Sequence, residues 1–138
     1  MPEKVSAQSR REVSARAGRR CEYCLMPEWA LLAGCEVDHI VSRKHGGVDG
    51  LANLAFSCAR CNRAKGSDVG SIATSTGAFV RLFNPRIDRW NEHFSWAGAR
   101  IHGRTTIGEV TAALLRMNGD DRVAERHLLQ KLGEFPTI

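Results

Sequence analysis

Five cysteines carry the most specific chemistry in this sequence. Four fall into two equal spacings, Cys21-Glu-Tyr-Cys24 and Cys58-Ala-Arg-Cys61. A thiolate pair at this spacing grips one metal ion from a tight turn. Two such turns complete a tetrahedral four-sulfur site that suits structural Zn2+. A single pair is equally compatible with dithiol redox chemistry, which predicts an exposed thiol of low pKa and no metal. The fifth, Cys35, stands in the apolar run from Leu31 to Val37 and reads as a small buried hydrophobe. Between the pairs lie Asp38-His39 and Asn53, and Asn62 follows Cys61 directly. Singly these are ordinary, since asparagines at element ends commonly serve turns and caps.

The elements that must position them are legible in outline. Residues 35–41 are rich in β-branched types and read as a strand; 42–50 is a glycine-punctuated loop holding Arg43, Lys44 and His45; 53–57 reads as the returning strand. A helix is expected from Cys61, ending near Gly66 or Gly70. Upstream, Ser9 and Glu12 have capping-box spacing and Gly18 reads as a stop, framing a basic helix with Arg10, Arg11 and Arg16. Downstream, 70–79 reads as a linker or loop. Phe79–Phe83 and His93–Trp96 read as strands of one small sheet, with a turn at Asn84-Pro85. A second capping box is expected at Thr106 and Glu109, with Ile107, Val110, Leu114 and Met117 as the helix's apolar positions. A last helix over 120–133 is expected to bury Val123, Leu128 and Leu132. His93, His102 and His127 read as structural, and Trp90 and Trp96 as core.

Taken in this order, the stretch EVDHIVSRKHGGVDGLANLAFSCARCNRAKG resembles the HNH endonuclease family, and the motif match runs from Cys21 to about Lys65. The segment LFNPRIDRWNEHFSW is also similar to the extension of small stand-alone bacterial members. The resemblance implies an α+β fold: a ββα-metal (His-Me finger) core with a four-cysteine zinc site, then a C-terminal extension of short strands and helices. It implies His39 as general base, Asp38 and Asn62 as ligands of one catalytic divalent cation, and Asn53 as the brace of the loop. Imidazole is the side chain suited to taking a proton from water near neutral pH. A cation touching the phosphate stabilises the charge that develops there. Asn62 stands where some members have histidine, which keeps an oxygen ligand and favours Mg2+ or Mn2+ over softer ions. Glu36 is either a supporting carboxylate or a plain strand residue. Arg43, Lys44, His45 and Lys65 are the expected contacts to DNA phosphates. Neighbours on a regular strand face opposite sides, so the strand is expected to twist or end where Asp38 and His39 meet one site.

Length and composition bound the rest. The 138 residues suit a single domain, divided as a basic N-terminal helix (1–20), the zinc-stapled core (21–69) and a strand/helix extension (70–138). A net charge of +5, spread over both halves, suits a polyanionic partner such as DNA. The sequence shows no apolar leader and no apolar run of membrane-spanning length, predicting a soluble, cytoplasmic protein with no membrane partner. No obligate protein partner is inferred. The competing function is a non-catalytic, zinc-dependent nucleic-acid-binding module. It would keep the four cysteines and the basic loop but need none of Asp38, His39 and Asn62.

Overall fold

The computed structural model describes residues 5–135; the outermost parts of the expected N-terminal and C-terminal segments, 1–4 and 136–138, lie outside the described residues. Helix α1 (Ala7–Arg16) is capped by Ser6, whose hydroxyl accepts from the Ser9 amide at 3.1 Å. The expected box thus begins one turn earlier, with Ser9 satisfied inside the helix. Gly18, at φ +62°, follows the C-cap in the left-handed conformation that glycine adopts at little cost.

Strands β1 (Cys35–His39) and β2 (Leu54–Cys58) pair antiparallel, with Cys35 opposite Cys58 and His39 opposite Leu54. Helix α2 (Ala59–Lys65) follows without a break. It starts two residues before the expected position because Cys58 is itself the N-cap, its sulfur accepting from the Cys61 amide at 3.4 Å. The connection between the strands contains a 3-10 turn at Arg43–His45 and then folds tightly on itself: a Cβ on Gly47 would lie 1.6 Å from the Val41 carbonyl oxygen. Only glycine fits there.

Residues 70–79, expected as a linker or loop, form a loop only over 73–78. They supply β3 (Gly70–Ile72), which pairs antiparallel with β4 (Phe79–Arg81) across a short turn. A one-turn helix α3 (Trp90–His93) leads into β5 (Phe94–Ala97), which pairs with β6 (Arg100–Gly103). The two segments expected to share a sheet therefore belong to separate hairpins, because each finds its partner in its nearest neighbour. Helix α4 (Thr106–Leu114) is capped by Thr105, not Thr106, and Glu109 reaches outward to Thr74 and Ser75. Helix α5 (Asp120–Lys131) departs most from expectation: it buries Arg122, Arg126 and Leu129, whereas Leu128 and Leu132 are exposed.

One buried cluster runs from the cysteine pairs through Tyr23, Ile40, Leu82, Phe83, Phe94 and Ile101 to Met117, Leu129 and Phe135. Phe83 and Phe94 meet edge to face at 5.3 Å, and Trp90 donates from its indole N–H to the Tyr23 carbonyl at 2.8 Å. Such aromatic pairs add directional packing to simple burial. A smaller cluster of Val13, Leu54 and Phe56 seats α1 on the other face of the first hairpin. Among the described residues, no helix is long and apolar enough to cross a membrane.

Candidate metal centre and hydrolytic site

Cys21, Cys24, Cys58 and Cys61 converge so that their sulfurs all lie within 4.8 Å of one another, and all four are buried. Cys24 and Cys58 sulfurs stand 3.8 Å apart. Zn–S bonds of about 2.3 Å in a tetrahedron give a sulfur–sulfur edge of about 3.8 Å, so the cage has the size and donor softness for zinc. The backbone supports it symmetrically: the Cys24 amide donates to Cys21 Sγ and the Cys61 amide to Cys58 Sγ, each at 3.4 Å. Burial pushes the Cys21 thiol well up, while hydrogen bonding from Cys21 pulls Cys24 well down. A dication resolves that conflict, because it takes all four sulfurs as thiolates. Cys35 stays outside the cage, half-buried, with burial raising its thiol to about 12.

Tyr23, inside the first cysteine pair, connects this cage to Asp38. Its hydroxyl donates to the Asp38 carboxylate at 2.7 Å. Lys65, from the last turn of α2, places its ammonium 3.3 Å from the same carboxylate and donates to the His39 and Ile40 carbonyls at 3.1 Å. Asp38 and Lys65 are 4% and 2% exposed. Burial still raises the Asp38 carboxyl above its ordinary range, against the opposing pull of Lys65. The expected role of Lys65 as a DNA phosphate contact is therefore corrected: its charge is enclosed and committed to Asp38.

β1 ends at His39, as the sequence suggests, but Asp38 and His39 engage separate partners. His39 Nε2 lies 2.8 Å from Asp49, a residue the motif reading passed over. Arg43 donates to the same carboxylate from Nε at 3.0 Å and Nη2 at 2.9 Å. First Arg43 and then His39 hold the Asp49 carboxyl below its ordinary range. An ionised carboxylate only accepts hydrogen bonds, so the shared proton belongs to Nε2, and in the neutral imidazole the lone pair is on Nδ1. Among the described residues, Nδ1 has no hydrogen-bond partner. Asp49 sits four residues before Asn53 in an ordinary loop composition, and no sequence signal distinguished it.

Asn53 clasps the connection shut. Its Oδ1 accepts from the Val41 amide at 2.9 Å, and its Nδ2 donates to the Val41 and Val48 carbonyls at 2.9 and 2.8 Å. Asn62 Nδ2 donates to Glu36 at 2.8 Å, leaving its amide oxygen available; no hydrogen bond links Asn62 to Asp38 among the described residues. Lys44 and His45 are exposed on the 3-10 turn. A groove between α1 and β1 is lined by Arg10, Arg11 and Arg19 and reaches Glu36.

Residues 21–68 match the family model described as HNH endonuclease, so the resemblance carried by the cysteine pairs and the Asp-His, Asn and Asn positions is borne out over that segment. The match points to a nuclease-type function and includes every residue of the sulfur cage. No curated protein and no solved structure matches the chain.

Proposed function

We propose that this chain is a metal-dependent endonuclease that hydrolyses DNA phosphodiester bonds through a ββα-metal core stapled by zinc. The observation that carries the reading is the His39–Asp49 contact inside the segment that matches the HNH endonuclease model. It gives an imidazole one defined tautomer and an unoccupied basic nitrogen, as proton abstraction from water requires. His39 Nδ1 takes the proton of the attacking water, and Asp49 stabilises the imidazolium that results. Asn53 keeps the loop, and with it Asp49, in register with the end of β1. The water oxygen bonds to phosphorus as the P–O3′ bond breaks, and the departing 3′-oxygen takes a proton from solvent, leaving 5′-phosphate and 3′-hydroxyl ends.

Asp38 and Asn62 are the residues that would hold the catalytic cation, with Glu36 beside Asn62. Carboxylate and amide oxygens are hard donors, which fits Mg2+ or Mn2+. When bound, such a cation stabilises negative charge on the phosphate and on the departing oxygen. The Lys65 ammonium already neutralises Asp38, so Lys65 and the cation compete for that carboxylate. The basic groove of Arg10, Arg11 and Arg19, with Lys44 and His45 on the loop, is the surface that meets the phosphate backbone.

Incubating the purified chain with supercoiled plasmid in Mg2+ or Mn2+, with and without EDTA, tests this directly. Nicked or linear product that requires the metal and is lost in His39→Ala supports the enzyme. Wild-type protein that binds DNA but never cuts it leaves the non-catalytic zinc module.

A further inference from the structure

Arg122 and Arg126 lie one helical turn apart on α5, 8% and 0% exposed, and neither touches a carboxylate among the described residues. Two buried cations without an anionic partner are costly enough that a compensating charge has to be found nearby. Arg122 Nη2 lies 2.9 Å from Cys61 Sγ and 3.9 Å from Cys58 Sγ. Its Nη1 donates to the Leu115 and Arg116 carbonyls at 2.7 and 3.1 Å, closing the C-terminal end of α4. Arg126 donates to the Ala99 and Met117 carbonyls at 2.8 and 2.7 Å and to the Asn118 side-chain oxygen at 3.3 Å. Four thiolates around one Zn2+ leave a net double negative charge, the complement of two guanidinium groups.

We propose that Arg122 belongs to the metal centre, donating to the zinc-bound Cys61 thiolate with Arg126 behind it, so that retention of the ion and docking of α5 are coupled. The inference rests on zinc occupying the four-cysteine cage and is independent of nuclease activity. It accounts for the polar inner face of α5. That face packs against thiolates and helix-end carbonyls, where arginine finds acceptors and leucine finds none. Groups that hydrogen-bond metal ligands commonly hold the ligand's orientation and raise metal affinity.

The test uses the full chain, first assayed for zinc by elemental analysis. Zinc release to a chromogenic chelator is then timed for wild type, Arg122→Met, Arg122→Lys and, as a control at the exposed end of the same helix, Lys131→Gln. Arg122→Met is expected to release zinc about 10–100-fold faster, with Arg122→Lys intermediate and Lys131→Gln unchanged. Hydrogen exchange over 120–131 in the zinc-loaded proteins is expected to accelerate in Arg122→Met, and less in Arg122→Lys, while the β1–β2 hairpin keeps its wild-type rate. If Arg122→Met does not fold, zinc release and hydrogen exchange in Arg122→Lys decide the matter. Wild type free of zinc would overturn the cage assignment itself. Zinc-loaded wild type with equal release from Arg122→Met, or with release from Lys131→Gln accelerated as much, would overturn the role of Arg122 alone.

Discussion

The Lys65 ammonium lies 3.3 Å from the Asp38 carboxylate, and both side chains are almost wholly shielded from water. Removing one partner of such a pair strands the other, typically at about 3–5 kcal/mol. Lys65→Met should therefore lower the urea midpoint strongly at pH 7. The pH dependence has a defined sign. Asp38 is a carboxylic acid whose folded-state pKa is already raised, so its ionised form is penalised at high pH and relieved as pH falls through that value. The deficit of Lys65→Met should shrink toward acid pH. Millimolar Mn2+ should restore the variant more than wild type, because a dication can take the ammonium's place; equal effects on both would separate Asp38 from the cation.

The His39–Asp49 contact predicts a tautomer as well as a rate. In wild type, nitrogen chemical shifts of His39 should report the proton on Nε2. Asp49→Asn replaces an obligate acceptor with a group that can also donate, so the tautomer preference should weaken or reverse. Cleavage should fall by on the order of 10²–10⁴, the range attributed to a positioned acid–base group, while DNA affinity changes little. Wild-type turnover in Asp49→Asn would remove Asp49 from the reaction.

Asp49 should also remain ionised under mildly acid conditions. Its pKa is lowered by Arg43 and His39, so the stabilisation is complete above the ordinary carboxylate value of about 3.9 and fades only as pH falls through the depressed one. Carboxyl shifts of Asp49, followed with the amides of residues 42–50, should titrate together below that ordinary value. A loop that melts between pH 7 and 5 would contradict the clasp.

Arginine charge should act differently at two places. Arg43 is bound bidentately to Asp49, whereas Arg10, Arg11 and Arg19 line an open groove. Neutralising Arg10 and Arg11 together should flatten the slope of log K against log salt by about two units if both contact phosphates. Arg43→Gln should leave that slope nearly unchanged and loosen the loop instead. The reverse pattern would place the DNA over the 42–50 connection.

Metal removal should be structural at the sulfur cage. Cys58→Ser is expected to lose both zinc and the folded core, since tetrathiolate zinc sites contribute on the order of 10 kcal/mol to folding. Cys35→Ser, outside the cage, should keep one zinc per chain. A folded, zinc-free Cys58→Ser protein would show that burial alone holds the hairpin.

What the sequence determined was local or carried by spacing: the cysteine pairs, the Asp-His and Asn positions, and the strand, loop, strand and helix that contain them. These survive translation into structure because a turn, a strand or a two-residue metal grip is set by neighbours a few positions away. The tertiary structure alone decided which side chains meet. Lys65 turned inward to Asp38, 27 positions away, and Arg122 reached Cys61 across 61. Composition reads a lysine or arginine as a surface charge. Only packing shows whether a carboxylate, a row of carbonyls or a cluster of thiolates waits inside to receive it, because long side chains follow the nearest unsatisfied acceptors rather than the periodicity of their own helix.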